Sequence, residues 1–204
     1  MSVSMGMKML DHPERWTLEE FLTWEGKQPE RYELVDGQPR MMAGGTLAHS
    51  VIQSNITTIL NLGLRDNPCR PHGDNLRIPI PKTGNVRMPD AAIDCGSFDQ
   101  KSRTAIEPAV VVEVLSNSNR WQDVLQLLED YDSVPSIQCY IMIEQDKCWV
   151  RVYERNESSR LTPTATYMSL EDRFVIPTFN IEVKLSELYD RITFETRETE
   201  EAQE

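Results

Sequence analysis

Apolar residues recur at two different periods along this chain. Near residues 46–64 and 120–132 they return every three to four positions, and elsewhere they mostly form strand-like runs. Leu47, Val51, Ile52, Ile56, Ile59, Leu60 and Leu64 predict a helix opening at Thr46, with His49 bordering its buried face in the first turn. Val124, Leu127, Leu128 and Tyr131 predict the inner stripe of a second helix, from about Arg120 to Asp132. It is capped within Ser116–Asn119 and stopped before Pro135. Thr17 and Glu20 stand at capping-box spacing and predict a short helix over 17–26, with Trp16 and Trp24 as packing residues. A fourth, short helix is expected over Leu185–Ile192.

The strand signals fill the rest. Arg31 to Gln38 alternates around Asp36-Gly37 and predicts a hairpin, with Tyr32 and Leu34 on one face and Glu33 and Val35 on the other. Pro71 to Asp74 reads as a turn, and Asn75–Pro81 as an edge strand because of Pro79 and Pro81. Val86–Cys95 reads as one further strand. Ala109–Leu115 is almost entirely β-branched, the pattern of a strand buried on both faces. With the helix after it and the run Ile137–Ile143, it predicts a strand–helix–strand unit with a parallel pair. Lys147–Glu154, Leu161–Met168 and Phe174–Val183 are expected as antiparallel strands of a C-terminal sheet. The fold class is therefore α/β (α+β): a mixed central sheet flanked by helices, with an N-terminal hairpin and C-terminal antiparallel strands. One domain is expected over 15–192, between a flexible 1–14 and an acidic, disordered 193–204.

Composition narrows this picture without changing it. At 204 residues, 39% apolar and 26% charged, the chain has the make-up of a single globular domain. No run approaches the roughly 18 apolar residues of a membrane span, and the first ten residues lack a signal-peptide core, so a cytoplasmic location is expected. Cys69, Cys95, Cys139 and Cys148 show no C-x-x-C spacing and are expected as reduced, buried thiols. A net charge of −12 argues against a protein that coats nucleic acid by charge alone. The charge is uneven: Glu187–Glu204 holds seven acids against two arginines, whereas Arg65–Arg87 holds five basic residues against two acids. The latter segment suits either phosphate contacts or a solvated loop face.

The chemistry concentrates between Arg87 and Ser116. Asp90 begins one apolar run and Glu113 lies near the end of another, inside Val-Val-Val-Glu-Val-Leu. An ionised carboxylate in such surroundings needs a partner. Magnesium takes one or two protein carboxylates plus water and substrate phosphate, and Asp90 with Glu113 could converge on it. Glu33 and His49 could stand behind them or hold a second ion. Spacing alone leaves the bland reading open as well: an Asp after Pro caps turns, and a Glu can end a strand.

Met88-Pro-Asp90, followed by Val111-Val-Glu113-Val-Leu-Ser116, resembles the PD-(D/E)XK nuclease superfamily, and more closely its Uma-type, restriction-endonuclease-like branch. Thr17-Leu-Glu-Glu-Phe21, Tyr32-Glu-Leu-Val-Asp-Gly37, His49, Arg87, Asp123 and Tyr131 also fall in that branch's order, so the likeness spans about residues 15–190. The resemblance implies a restriction-endonuclease-like fold and magnesium-dependent (manganese as substitute) cleavage of DNA. It implies Asp90, Glu113 and the Val114 carbonyl as metal ligands, with Glu33 and His49 as further site residues. A homodimer is expected, since cutting both strands calls for two sites.

One departure bears on activity. The superfamily lysine would stand at Leu115, and the branch's relocated lysine at Leu127. Neither leucine can orient water. Gln126 is turned away by about 100° on the helix, and Arg120 and Lys82 could substitute only from elsewhere, arginine remaining protonated throughout. The alternative is thus a catalytically silent nuclease fold serving as a DNA-binding or protein-interaction module.

Overall fold

The computed structural model describes residues 14–42, 44–116 and 121–194. The expected flexible N-terminus and acidic tail fall almost wholly outside these residues, as do Arg120 and most of the Ser116–Asn119 cap.

Thr17 opens α1 (Leu18–Glu25) as a reciprocal cap, its N–H donating to Glu20 Oε2 at 2.9 Å and the Glu20 N–H to Thr17 Oγ1 at 3.3 Å. A hairpin of β1 (Tyr32–Val35) and β2 (Gln38–Met41) follows. Asp36 and Gly37 both take positive φ, 54° and 76°, the two-residue turn whose twist matches that of the strands. Trp16 and Trp24 pack as expected, 5.2 Å apart, over a small core of Phe21, Leu34 and Val86.

Next comes α2 (Leu47–Gly63), capped by Thr46 and burying Ile52, Ile56 and Leu60. Leu47 was expected on that face but is 88% exposed. Five residues before Ile52 is about 500° of helical rotation, which leaves it some 140° off the buried stripe.

The segment read as a turn at Pro71 instead forms β3 (Arg70–His72), followed by β4 (Ile78–Ile80). Val86–Cys95 is not one strand but two, β5 (Asn85–Arg87) and β6 (Ala91–Asp94), which belong to different sheets. Pro89 has no N–H to continue a ladder, and the chain changes sheet across Met88–Asp90. Then follow β7 (Pro108–Leu115), α3 (Trp121–Asp132), β8 (Cys139–Glu144), β9 (Val150–Arg155) and β10 (Leu161–Tyr167). The chain closes with β11 (Arg173–Ile176), β12 (Ile181–Lys184) and α4 (Leu185–Leu188).

The large sheet runs β10-β9-β8-β7-β6-β3, with β7 near its centre and β7–β8 its parallel pair, as the strand–helix–strand pattern requires. β9 and β10 join this sheet, so the expected separate C-terminal sheet reduces to β11–β12. The small sheet runs β2-β1-β5-β4, and Pro79 sits on its edge as predicted. Val110, Val112 and Val114 of β7 pack towards α2. Val111 and Leu115 pack towards Val124, Leu127 and Tyr131 of α3.

One expectation about cysteine fails. β3 pairs antiparallel with β6, Arg70 opposite Asp94, which brings the flanking Cys69 and Cys95 face to face. They form a disulfide with Cα atoms 4.2 Å apart. Cys139 and Cys148 are free thiols, as expected. The unforeseen strand β3 accounts for the miss. Among the described residues no helix is long and apolar enough to cross a membrane.

Candidate active site

The break between β5 and β6 sets Asp90 at the mouth of the large sheet. Asp90 Oδ2 accepts the Val114 N–H at 2.7 Å, and Oδ1 lies 3.2 Å from His49 Nε2. Gln53 of α2 donates to the Asp90 carbonyl at 3.0 Å. Two neighbouring elements therefore hold this short segment.

Glu113 follows the alternation of β7 and points to the α3 side, where Tyr131 Oη donates to its Oε1 at 2.6 Å. The residue keeps a little surface exposure while its carboxyl is desolvated. Burial pushes the Glu113 pKa well above the usual carboxylate range, and the charges of Asp90 and Glu33 push it further. The Tyr131 hydroxyl and the Arg87 guanidinium oppose that shift. Tyr131 is raised in turn, by burial first and then by Glu113 and Glu33. His49 is raised by its hydrogen bond to Asp90; burial opposes this, while the Asp90 charge and the Val114 carbonyl support it.

Glu33 joins from β1. Its Oε1 accepts the Met88 N–H at 2.9 Å, and its Oε2 accepts from Arg87 Nη1 at 3.1 Å. Arg87 Nε reaches Asp130 Oδ2 at 2.7 Å, and Asn85 Nδ2 donates to the same oxygen at 2.9 Å. Burial alone would lower the Arg87 pKa, but Glu33 and Asp130 outweigh it and keep the guanidinium charged. This buried chain ties the small sheet to α3.

A cavity of about 720 Å³ opens over these groups, lined among others by Glu33, His49, Asp90, Glu113, Val114 and Leu127. The five expected site residues, Glu33, His49, Asp90, Glu113 and Val114, thus line one cavity. Leu127 is 8% exposed and borders the cavity where the relocated lysine was sought. Gln126 turns away to Asp36, and Lys82 is exposed outside the lining.

Sequence reasoning missed Arg87 as a buried cation and missed Asp130 and Asn85 altogether. Asp130 follows Leu127 by three positions and adjoins Tyr131, so an acid on the edge of an apolar stripe was the available signal. The basic segment Arg65–Arg87 also divides: Arg87 and Arg77 are buried, Arg77 pairing with Glu25, while Arg70 lies 4.4 Å over the Phe98 ring.

Among the described residues no three His, Cys, Asp or Glu side chains form a ready metal cage. Two carboxylates beside a wide cavity nevertheless suit magnesium, which fills its remaining positions with water and substrate. The surplus charge around Glu113 is what a cation would relieve.

Residues 18–186 match the family model described as "Uma2: Putative restriction endonuclease". The chain belongs to this family. It is 34% identical over 140 residues to the uncharacterized Synechocystis protein slr1290, covering 68% of this chain and 74% of that protein. A second uncharacterized Synechocystis protein, sll1609, is 26% identical over 142 residues, covering 68% of this chain and 80% of that protein. The crystal structure of "a putative nuclease belonging to DUF820" from Anabaena variabilis superposes with a TM-score of 0.68 at 19% identity, covering 85% of this chain and 97% of that one. The fold is thus restriction-endonuclease-like, of the PD-(D/E)XK type, and the family assignment supports a nuclease.

Proposed function

We propose that this Uma2-family chain is a divalent-metal-dependent endonuclease that hydrolyses DNA phosphodiester bonds. Asp90 and Glu113 hold the ion, with the Val114 carbonyl beside them, and magnesium or manganese fits this hard oxygen set. The supporting observation is the meeting of Glu113 and Asp90 in one cavity whose arginines are taken up by other carboxylates, Arg31 by Asp74, Arg40 by Asp123 and Arg87 by Glu33 and Asp130, which leaves His49 as the basic group beside them. A bound divalent cation supplies Lewis acidity and lowers the pKa of an attacking water. The chain's own part is positional. His49 and the Val114 N–H fix the two oxygens of Asp90, and Tyr131 orients Glu113. Glu33, hydrogen-bonded by Arg87 and by the Met88 N–H, clamps the segment that carries Asp90. Cutting both strands calls for two copies, and we take the working form to be a two-fold dimer.

Leu127 at the cavity wall favours a second reading, a member that binds metal and DNA without turnover. Calorimetric titration with manganese tests the shared part: binding is expected in the natural chain and lost in Asp90→Ala. Unchanged binding in that variant refutes the metal assignment. Plasmid nicking, absent in Glu113→Ala, separates the active reading from the silent one.

A further inference from the structure

A second cavity, of about 340 Å³, lies on the α3 side of the large sheet and meets the first at Ser116, which lines both. Strand register relates it to the carboxylate site. Glu113 stands opposite Met142, and Met142 opposite Arg151, so Arg151 lies two strands from Glu113 on the same face, about 10 Å away. One rung further along, Leu115 stands opposite Glu144, whose N–H donates to the Trp149 carbonyl. Trp149, Arg151 and Glu144 all line the cavity, and Leu125 closes its outer side from α3.

Three features specify an occupant. Trp149 offers a partly exposed aromatic surface, with Lys147 Nζ 5.8 Å from its ring centroid. Arg151 lines the cavity with its guanidinium 6.0 Å from the Tyr153 ring centroid, and its buried Nε has no hydrogen-bond acceptor among the described residues, so Nε holds no hydrogen bond that a ligand would have to break. Glu144, half-buried, brings an acceptor into the same space. A purely apolar ligand would leave Arg151 unmet and desolvate the Glu144–Lys147 pair, 4.0 Å apart, whereas a flat heteroaromatic ring with both acceptors and N–H donors suits Trp149, Arg151 and Glu144 together.

We propose that this cavity receives an unpaired nucleobase of the strand whose phosphate lies over Asp90 and Glu113, stacked on Trp149 and hydrogen-bonded by Arg151. The proposal rests on the nuclease reading above. Lys147 at the rim suits the next phosphate along the strand, and passage by Ser116 keeps base and phosphate on one nucleotide path.

A fluorescein-labelled single-stranded oligonucleotide carrying one 2-aminopurine tests this on the full chain, in calcium to suppress turnover. Anisotropy reports strand binding and 2-aminopurine emission reports stacking. Binding with quenched emission is expected. Trp149→Ala is expected to abolish the quenching and weaken affinity between about 5-fold and about 150-fold, the range of one lost base–aromatic stack. Because Trp149 also packs against the core, Leu125→Trp provides a second variant: Leu125 is exposed, and the larger ring fills the cavity without opening the interior. It is expected to give the same loss. Binding without quenching, or quenching that survives in both variants, overturns the base pocket and leaves the nuclease reading standing. No strand binding at all overturns both.

Discussion

The Val114 N–H donates to Asp90 Oδ2 at 2.7 Å, so one carboxylate hangs from the backbone next to the other. The β6–β7 ladder, in which Ala91 faces Val112, sets the backbone spacing of Asp90 and Glu113, and Tyr131 fixes the Glu113 side chain. Asp90→Asn keeps an oxygen for Val114 while removing the charge. It is expected to fold with a stability change under about 1 kcal/mol, yet to lose manganese binding, as melting and calorimetry on one sample will show.

Glu113 destabilises the metal-free protein at neutral pH. Its folded pKa lies above the unfolded value, so the folded state binds more protons between the two. Stability therefore falls as pH rises from about 4.5 through the folded value. His49, also raised, adds a contribution that is complete below about 6.5 and is lost as pH climbs through its folded pKa. Glu113→Gln is expected to stabilise the metal-free chain by about 1–3 kcal/mol near pH 7 and to flatten the acid side of this profile. Thermal melts from pH 5 to 9 in chelator check both.

Arg87 balances Glu33 and Asp130 from within. Arg87→Met leaves two carboxylates without their buried cation and is expected to cost about 3–5 kcal/mol, with Tm falling on the order of 10 °C. Glu33→Gln retains an acceptor for the Met88 N–H and should cost less. If the two variants melt alike, the guanidinium is not the centre of the network.

Much of this fold was legible because periodicity tracks burial. The inner stripe of α3, the hairpin at Asp36-Gly37 and the β-branched run of β7 each follow from local pattern, and Asp90 and Glu113 stand out as acids in apolar runs. What was hidden depended on pairing between distant segments. Nothing local distinguishes Arg70–His72 from a turn, because β3 exists only as a partner of β6, and the Cys69–Cys95 disulfide was invisible for the same reason. The division of Val86–Cys95 between two sheets was hidden as well: apolar residues continue through the break at Pro89, and only three-dimensional sheet order separates the halves.

Reduction of that disulfide should be costly. It closes a separation of 26 residues, and the loop-entropy relation gives about 3.5 kcal/mol. Cys69→Ser with Cys95→Ser is expected to lower Tm by several degrees. Metal affinity should be retained, because the bridge lies at the end of β6 away from Asp90. A melt and a manganese titration on the double variant will show whether these two effects separate.

Leu127→Lys probes the missing base. Because Leu127 borders the cavity, an amine at this position can reach water instead of being trapped in the core. The expected result is a folded protein, destabilised by no more than about 2 kcal/mol, with plasmid nicking above that of the natural chain. Nicking that stays at the Glu113→Ala background in this variant assigns the deficit to some other group.

Within little more than one turn of α3, Leu127 borders the cavity, Asp130 receives Arg87 and Tyr131 holds Glu113. A single residue inserted between Val124 and Leu127 would rotate all three by about 100° at once. Lineages of this protein should therefore vary freely in composition at the outward positions of α3 and almost never in its length. A length change at this point should survive only alongside a second one that restores the phase.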